Sequence, residues 1–242
     1  MASASTAILV IGANRGIGFE LATRLHRQGY TVFGTHRPQT RDDPSVKDLV
    51  REGINTFELD LTDEDSIVRA SQNFGERKLD VLINCAGVYY LWDDKLFTEQ
   101  TAEDLLFHFK VNVVGPFLTS KHFLRNLSQS KHGRIINISS DFASIAVLDN
   151  NGGNACYRIS KCALNQLTKT TAVDLKKVAP TIHTLAVHPG FVPTKMTGFV
   201  GEDDMEECMT NLVNLVRNFA SSTHDMLPNG GYVRWNGERM DY

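Results

Sequence analysis

The sequence predicts an α/β fold in which helices cover both faces of a parallel β-sheet. Short, continuous apolar runs recur along the chain, as expected for parallel strands that are buried on both faces. Segments with helical periodicity alternate with these runs, which is typical of βα repeats. Because such crossovers are right-handed, the repeats form a doubly wound sheet that binds ligands beyond the carboxyl ends of its strands. The length of 242 residues suits one domain that spans residues 1–242.

Strands and helices can be placed in order along the chain. Strands are predicted at residues 7–11, 30–35, 54–59, 79–83, 134–138 and 181–187. Helices are predicted at residues 17–28, within 44–52, from a cap at Thr62 or Asp63 to about Phe74, over 101–127 with a break near Gly115-Pro116, and around Tyr157. The polar and glycine-rich segments of the sequence follow the strands, at the edge of the sheet where ligands bind.

Composition and charge argue against several classes of partner. The formal net charge of −3 disfavours nucleic acid or an anionic membrane as the main partner. No apolar run approaches membrane-spanning length, and residues 1–11 lack the basic start and the long apolar stretch of a signal peptide. The four cysteines show no zinc-binding spacing, and the eight histidines do not cluster. We therefore expect a cytoplasmic protein with reduced thiols, without a metal, and with neither nucleic acid nor membrane as a partner.

A glycine-rich loop directly follows the first predicted strand. Gly12, Gly16 and Gly18 form the pattern Gly-x-x-x-Gly-x-Gly and lead into the first helix. Glycines permit the tight turn and let the backbone approach a pyrophosphate at the helix N-terminus. In this strand-loop-helix context, the loop predicts a dinucleotide cofactor.

Tyr157 and Lys161 are the strongest candidates for chemistry. Four residues apart on a helix, they project from one face, so the ammonium lies near the phenol. A nearby cation favours the phenolate, which predicts that the pKa of Tyr157 falls from its usual value of about 10 toward neutrality. Tyr157 would then exchange a proton with a substrate oxygen. The alternative is a tyrosine at the edge of the core with a solvated lysine one turn later.

Several motifs occur in a fixed order that resembles one family. They are the glycine loop, Asn84-Cys85-Ala86-Gly87, Asn112, Ser139-Ser140, Tyr157-x-x-x-Lys161 and Pro189-Gly190. This set resembles the short-chain dehydrogenase/reductase family over essentially the whole chain, which implies a Rossmann-type fold. Within the family the chain is most similar to C-factor and Sniffer-like carbonyl reductases, through residues 157–161, 188–192 and 235–238.

The resemblance implies four catalytic residues. Ser140 would hydrogen-bond the substrate carbonyl and Tyr157 would donate its proton. Lys161 would bind the nicotinamide ribose and tune Tyr157, and Asn112 would position a water that relays protons. Alternation along the strand puts the hydroxyls of Ser139 and Ser140 on opposite faces, and the family pattern favours Ser140.

The resemblance also implies a set of cofactor-binding residues. Asp60 and Leu61 would hold the adenine edge, while Pro189, Val192 and Thr194 would anchor the nicotinamide carboxamide. Asn84, Ala86 and Gly87 would line the adenosine ribose side and brace the sheet. The complete set is Gly12, Asn14, Arg15, Gly16, Ile17, Gly18, Arg37, Asp60, Leu61, Asn84, Ala86, Gly87, Tyr157, Lys161, Pro189, Val192 and Thr194.

The end of the second strand predicts NADP(H) rather than NAD(H). An enzyme selective for NAD places a carboxylate there to bind the ribose 2′-hydroxyl. Here the strand ends in Thr35-His36-Arg37, without a carboxylate, and Arg15 lies in the glycine loop. Two guanidinium groups suit a 2′-phosphate because they form charge-assisted, bidentate hydrogen bonds. The alternative is that Arg37 is a solvated loop residue.

The sequence departs from the family pattern in two places, and two further segments allow alternatives. Ile11 replaces a threonine that supplies a structural hydroxyl, and an extra loop at residues 149–153 is predicted at the mouth of the active site. Residues 191–209 have the composition of a mobile lid, or of an ordinary surface loop. Tyr89, Tyr90 and Trp92 either line the substrate pocket or close the end of the core.

Together these features predict an NADPH-dependent carbonyl reductase that acts on a small-molecule ketone or aldehyde. One alternative is an alcohol dehydrogenase that works in the oxidative direction. Another is a regulatory protein that binds NADPH with little turnover, although a pure binder does not need all four of Asn112, Ser140, Tyr157 and Lys161. The resemblance also implies a homo-oligomer, a dimer or a tetramer, formed through helices around residues 101–127 and 154–176.

Overall fold

The protein forms a seven-stranded, fully parallel sheet. The computed structural model describes residues 6–89, 95–148, 152–221 and 227–242. The strands are β1 (Ala7–Ile11), β2 (Thr31–His36), β3 (Asn55–Glu58), β4 (Val81–Asn84), β5 (Arg134–Ile138), β6 (His183–His188) and β7 (Gly231–Arg234). Their order is β3-β2-β1-β4-β5-β6-β7, so the chain winds outward from β1 in both directions. The predicted doubly wound α/β fold is confirmed.

Helices cover both faces of the sheet. They are α1 (Gly16–Arg27), α2 (Pro44–Arg51), α3 (Glu64–Phe74), α4 (Ala102–Phe109), α5 (Gly115–His122), α6 (Leu124–Leu127), α7 (Ala155–Val178) and α8 (Met205–Ala220). Of the two candidate caps for α3, Asp63 has this role, because its Oδ1 accepts a hydrogen bond from the Asp65 amide at 3.0 Å.

The core is divided by the sheet into two layers. Ile8 and Val10 of β1 face one layer, whereas Leu9 and Ile11 face the other. This alternation is the two-residue period of a strand, with both faces apolar because helices cover both. The first layer includes residues of α1 and α8, and the second includes residues of α3, α5 and α7.

The long helical region is broken by a π-helical segment, Lys110–Val114, between α4 and α5. The break therefore comes just before Gly115-Pro116, the point at which the sequence predicted it. Asn112 lies within this segment, and its side chain is fully buried. Its Nδ2 donates to the Val88 carbonyl and to Ser160 Oγ, both at 3.0 Å, and its Oδ1 accepts from the Val88 amide. Single π turns inside α-helices are frequent at functional sites.

The helices of the predicted interface expose apolar side chains. Within the described ranges, no helix combines the length and the hydropathy needed to cross a bilayer. Leu106 on α4 is 68% exposed, Phe117 on α5 is 49% exposed and Ile159 on α7 is 49% exposed. Assembly into a homo-oligomer through these helices stays a prediction.

Candidate active site

The glycine loop between β1 and α1 brings the backbone close to the start of the helix. Gly12 and Gly16 have φ angles of 82° and 54°, in the left-handed region that favours glycine. A Cβ on Gly18 would lie 2.2 Å from the Gly12 carbonyl oxygen. Arg15 precedes α1 in extended conformation and makes no capping hydrogen bond with its side chain. The first amide groups of α1 are therefore not capped by Arg15, and the loop fits the pyrophosphate of a dinucleotide.

A threonine on β2 supplies the hydroxyl that Ile11 lacks. The Gly12 amide donates to Thr35 Oγ1 at 3.0 Å, and the Ala13 amide donates to the Thr35 carbonyl at 2.9 Å. The sequence showed the missing hydroxyl at position 11 but not its replacement. The signal that could have identified the replacement was a threonine near the end of β2, the strand that pairs with β1.

A cavity of about 300 Å³ begins at this loop and continues along the carboxyl ends of the strands. Most of the predicted site residues line it: Gly12, Asn14, Arg15, Gly16, Ile17, Gly18, Arg37, Asp60, Leu61, Ala86, Gly87, Tyr157, Lys161, Pro189 and Thr194. Sequence reasoning did not assign several other lining residues to the site, including Thr35, Thr62, Val88, Phe107, Lys195 and Met196. Thr35, Thr62 and Val88 lie at or just after strand ends, Lys195 and Met196 lie in the predicted lid segment, and Phe107 lies on α4, where no sequence signal pointed to it.

Asn84 and Val192 do not line this cavity, and their predicted contacts with the cofactor stay predictions. Asn84 is buried, and its Nδ2 donates to Asn137 Oδ1 at 2.8 Å while its Oδ1 accepts from Thr119 Oγ1 at 2.7 Å. It braces neighbouring strands, as predicted, but its side chain does not line the ribose side. Val192 is 2% exposed and packs in the core layer that contains α8.

Helix α7 places Tyr157 and Lys161 on one face beside the cavity. Lys161 is buried, its Nζ lies 5.7 Å from the centre of the Tyr157 ring, and it donates to the Ile138 carbonyl at 2.8 Å. A Cβ on Gly87 would lie 3.2 Å from Asn112 Oδ1 and 3.5 Å from Lys161 Nζ. Gly87 therefore occupies the narrow space between the buried amide and the ammonium.

Burial, rather than the neighbouring lysine, controls the pKa of Tyr157. Burial raises this pKa well above its usual value, against a hydrogen bond with Ser140 that lowers it, and the charges of Asp141 and Tyr89 raise it further. Burial also lowers the pKa of Lys161 to about 8. The prediction that the pKa of Tyr157 falls toward neutrality beside Lys161 is wrong, since this pKa is raised. The reason is that the ring is buried, and desolvation of the phenolate is the largest effect on its pKa.

The two serines after β5 have different partners. Ser139 Oγ donates to Asn165 Oδ1 at 2.7 Å, so its only proton is used inside the protein. Ser140 Oγ donates to Asp141 Oδ1 at 3.0 Å and accepts from the Phe142 amide at 3.2 Å. Ser140 does not line the cavity itself, and 9% of its surface is exposed. Ser139 lines the cavity, and both hydroxyls donate within the protein, so Ser140 as the residue that holds a substrate carbonyl stays a prediction.

The adenosine end of the cavity carries positive charge. Arg15 and Arg37 are exposed, both line the cavity, and neither forms an ion pair with the other described residues. Asp60 Oδ1 accepts from the amide and the hydroxyl of Thr62, at 2.8 and 2.7 Å. Although burial opposes it, these bonds and the charge of Arg37 hold the pKa of Asp60 below its usual value.

Aromatic side chains surround Tyr157. The ring centres of Tyr89 and Phe142 lie 4.6 and 6.2 Å from that of Tyr157. Asn154 Nδ2 donates to Tyr89 Oη at 3.0 Å, which fixes the ring of Tyr89. Tyr89 therefore lies against the catalytic candidate, whereas Tyr90 and Trp92 lie outside the described residues.

Two segments near the site, residues 149–153 and 191–209, were predicted to be a loop and a lid. Residues 149–151 of the extra loop lie outside the described residues. The proposed lid contains a short 3₁₀ turn, Lys195–Thr197, and the amides of Glu202 and Asp203 donate to the Phe191 carbonyl. Phe199 within it is 74% exposed. Whether this segment moves as a lid stays a prediction.

We expect His188, at the end of β6, to make the stability of the protein depend on pH. It is buried, and its Nδ1 accepts a hydrogen bond from the Asp141 amide at 3.0 Å, so the ring is neutral. Burial lowers its pKa from the model-peptide value of 6.5, and the nearby Asp141 carboxylate only partly opposes this. The folded-state pKa of His188 lies below its unfolded value. The contribution of the neutral ring to the free energy of unfolding is therefore fully present above a pH of about 6.5 and is lost as the pH falls through the folded-state pKa.

We expect thermal melting between pH 7 and pH 5 to show this loss. The single proton contributes a slope of at most about 1.4 kcal/mol per pH unit. In His188→Asn the amide oxygen still accepts from Asp141 but does not titrate, so its melting temperature is expected to fall less over this range. Equal slopes for the two proteins would show that another group is responsible.

Comparisons with known proteins agree with this geometry. A family model described as short chain dehydrogenase matches residues 6–205. The 3-oxoacyl-[acyl-carrier-protein] reductase of Aquifex aeolicus is 33% identical over 201 residues, which are 81% of this chain and 77% of the relative.

Two crystal structures show the same likeness over nearly the whole chain. The NADPH-bound carbonyl reductase from chicken fatty liver is 28% identical, with a TM-score of 0.85 over 98% of this chain and 99% of that one. A carbonyl reductase from Pseudomonas aeruginosa PAO1 is 26% identical, with a TM-score of 0.80 over 98% of this chain and all of its own.

Proposed function

The chain belongs to the short-chain dehydrogenase family of oxidoreductases, and from this premise we propose that it reduces a ketone or an aldehyde with NADPH. The observation that carries the proposal is one continuous cavity, which runs from the glycine loop to Tyr157 and Lys161. The relatives support it, since a 3-oxoacyl-[acyl-carrier-protein] reductase is similar in sequence and an NADPH-bound carbonyl reductase is similar in structure.

The protein's own residues would bind and orient the cofactor. The first amides of α1 would hold the pyrophosphate, and Arg15 and Arg37 would hold a 2′-phosphate at the adenosine end. Lys161, which lines the cavity beside Tyr157, would bind the ribose next to the reacting ring. When bound, NADPH supplies the hydride.

The same residues would place the substrate oxygen and give it a proton. Ser140 would hold the carbonyl oxygen beside the Tyr157 hydroxyl, and Tyr157 would donate its proton to that oxygen. Because burial raises the pKa of Tyr157, the phenol keeps its proton at neutral pH. This protonation state is the one that a general acid needs for carbonyl reduction.

Two measurements test the proposal in sequence. Thermal melting with NADPH, with NADH and with neither reports binding, because a ligand at a hundred times its Kd stabilises the folded state by about 2.7 kcal/mol. Oxidation of NADPH in the presence of a panel of ketones and aldehydes then reports turnover. We expect a clear shift with NADPH, little with NADH, and turnover of at least one carbonyl class. Binding without turnover would favour the regulatory alternative, and no shift with either cofactor would reject the proposal.

The cofactor preference makes a further prediction. Arg37→Ala and Arg15→Ala are each expected to weaken NADPH binding about tenfold or more, because each removes a charge-assisted contact of roughly 1.5–3 kcal/mol. NADH binding should change little. The measurement is the Kd for each cofactor from quenching of protein fluorescence.

Arg41→Ala is the matched control for this prediction. Arg41 lies four residues beyond Arg37, but its guanidinium is paired with Glu58. Its removal should leave both dissociation constants unchanged. Equal weakening of NADPH and NADH in the Arg37 variant would show that this guanidinium does not recognise the 2′-phosphate.

A further inference from the structure

The glycine loop has a different neighbour on each of its two sides. On one side, Asn14 Nδ2 donates to Thr40 Oγ1 at 3.4 Å, in the segment that follows β2. On the other side, a Cβ on Gly16 would lie 3.6 Å from the Cβ and the Cγ2 of Thr194, in the segment that follows β6. The segment after β6 therefore lies against the N-terminus of α1, where the pyrophosphate of a dinucleotide would bind.

Lys195 directly follows Thr194 and lines the same cavity. Its side chain is exposed, and within the described part of the chain no ion pair or hydrogen bond holds its ammonium group. Its backbone, by contrast, is fixed in a closed turn, because the Thr194 carbonyl accepts from the amides of Thr197 at 3.1 Å and Phe199 at 2.7 Å. Lys195 is thus a cation on an ordered backbone, and its charge is not neutralised by the described residues.

The other cations that line the cavity have different positions. Arg37 follows β2, and its charge acts on Asp60 at the adenosine end. Lys161 is buried beside Tyr157, where it donates to a backbone carbonyl at 2.8 Å. The first amides of α1 offer a pyrophosphate hydrogen bonds and a partial positive charge, but not a full one. On the β6 side of the glycine loop, Lys195 is the lining residue that can supply that charge.

We propose that Lys195 is a cofactor-binding residue, whose ammonium neutralises the pyrophosphate at the N-terminus of α1. This inference rests on the proposed function and adds a residue that the sequence did not assign to the site. An ammonium acts as a point charge with three donors, so it binds an anion without the fixed orientation that a guanidinium needs. Because NADPH and NADH share the pyrophosphate, Lys195 strengthens the binding of both and does not choose between them.

Lys195→Met tests this role, because it keeps the apolar stem and removes the charge. We expect the Kd values for NADPH and for NADH, measured by fluorescence quenching, to rise by the same factor of about ten. This pattern differs from that of Arg37→Ala, which should weaken NADPH alone. Lys195→Arg keeps the charge and should bind both cofactors within a few-fold of the wild type. The matched control is Lys177→Met, at an exposed lysine in the last turn of α7 that does not line the cavity.

Two fragments of the cofactor locate the contact without any turnover. ADP-ribose contains the pyrophosphate but neither the 2′-phosphate nor the nicotinamide, whereas adenosine 2′-monophosphate contains the 2′-phosphate and no pyrophosphate. In competition with NADPH, Lys195→Met should weaken ADP-ribose about tenfold and leave adenosine 2′-monophosphate unchanged. The difference between wild type and variant should shrink in 1 M salt, where the Debye length falls to about 3 Å.

The outcomes separate this inference from the proposed function. Equal Kd values for wild type and Lys195→Met would reject the inference. Weakening of both cofactors without weakening of ADP-ribose would reject it too, because the contact would then lie at the nicotinamide end. If the wild type binds NADPH but reduces no carbonyl, the proposed function fails, and the dissociation constants still decide the role of Lys195. If the wild type binds neither cofactor, both are rejected.

Discussion

Replacing Tyr157 with phenylalanine is expected to reduce kcat for carbonyl reduction by roughly a hundredfold to ten-thousandfold, the range for loss of a general acid. The ring stays, so its contacts with Tyr89 and Phe142 are kept and the fold is not disturbed. Only the hydroxyl beside Ser140 is removed. NADPH oxidation under saturating substrate measures the effect on kcat, and the melting shift with NADPH measures binding, which should stay within a few-fold of the wild type.

Tyr89→Phe is the matched control for this change. It removes a second phenol whose ring lies against Tyr157, at the cost of its hydrogen bond with Asn154. Because Tyr89 donates no proton in the proposed reaction, its kcat should change by no more than a few-fold. An unchanged rate in Tyr157→Phe would mean that another group supplies the proton. Loss of NADPH binding together with the rate would mean that the phenol mainly holds the cofactor.

Replacing Gly12 with alanine is expected to abolish NADPH binding. Gly12 has a φ of +82°, and a Cβ there would lie 2.7 Å from the Cβ of Ala86, on the loop after β4. Left-handed strain costs about 1–2 kcal/mol and overpacking about 1–3 kcal/mol, so the free energy of unfolding should fall by about 2–5 kcal/mol. Urea unfolding measures the stability, and the melting shift with NADPH measures binding.

Gly29→Ala separates backbone strain from close approach. Gly29 has a φ of +90°, but a Cβ there would meet no atom within 4 Å. In this variant the free energy of unfolding should fall only by the backbone strain of about 1–2 kcal/mol. The full melting shift with NADPH should be kept. If Gly12→Ala kept its shift as well, the loop would not lie against the pyrophosphate.

The parts of the fold that could be predicted are those that local sequence determines. The apolar run of β1 and the glycines after it depend on neighbours only a few residues away, as does the shared face of Tyr157 and Lys161. The prediction of β5 at residues 134–138 matches the structure residue for residue. Local periodicity and turn chemistry are strong in these segments, so sequence alone was sufficient.

The parts that could not be predicted depend on distant partners. β7 has only four residues, and its pairing with β6 decides that it is a strand. Thr35 replaces the missing hydroxyl of Ile11 from another strand. The pKa of Tyr157 depends on how deeply the ring is buried and on Asp141, neither of which is visible from the spacing of Tyr157 and Lys161.

The π-helical segment Lys110–Val114 has a consequence for length variation in the gene. A π turn holds one more residue than an α turn, and one residue corresponds to about 100° of rotation in an α-helix. The extra residue therefore changes the direction in which the side chains of α5 face relative to those of α4. It lets α4 pack on α7 while α5 packs on α3 and β4. Deleting a single codon here would remove the extra residue of the π turn, and α4 and α5 would then no longer both face their partners. A one-residue deletion, usually the mildest change in length, is for this reason least tolerated at the place where the helix looks most irregular.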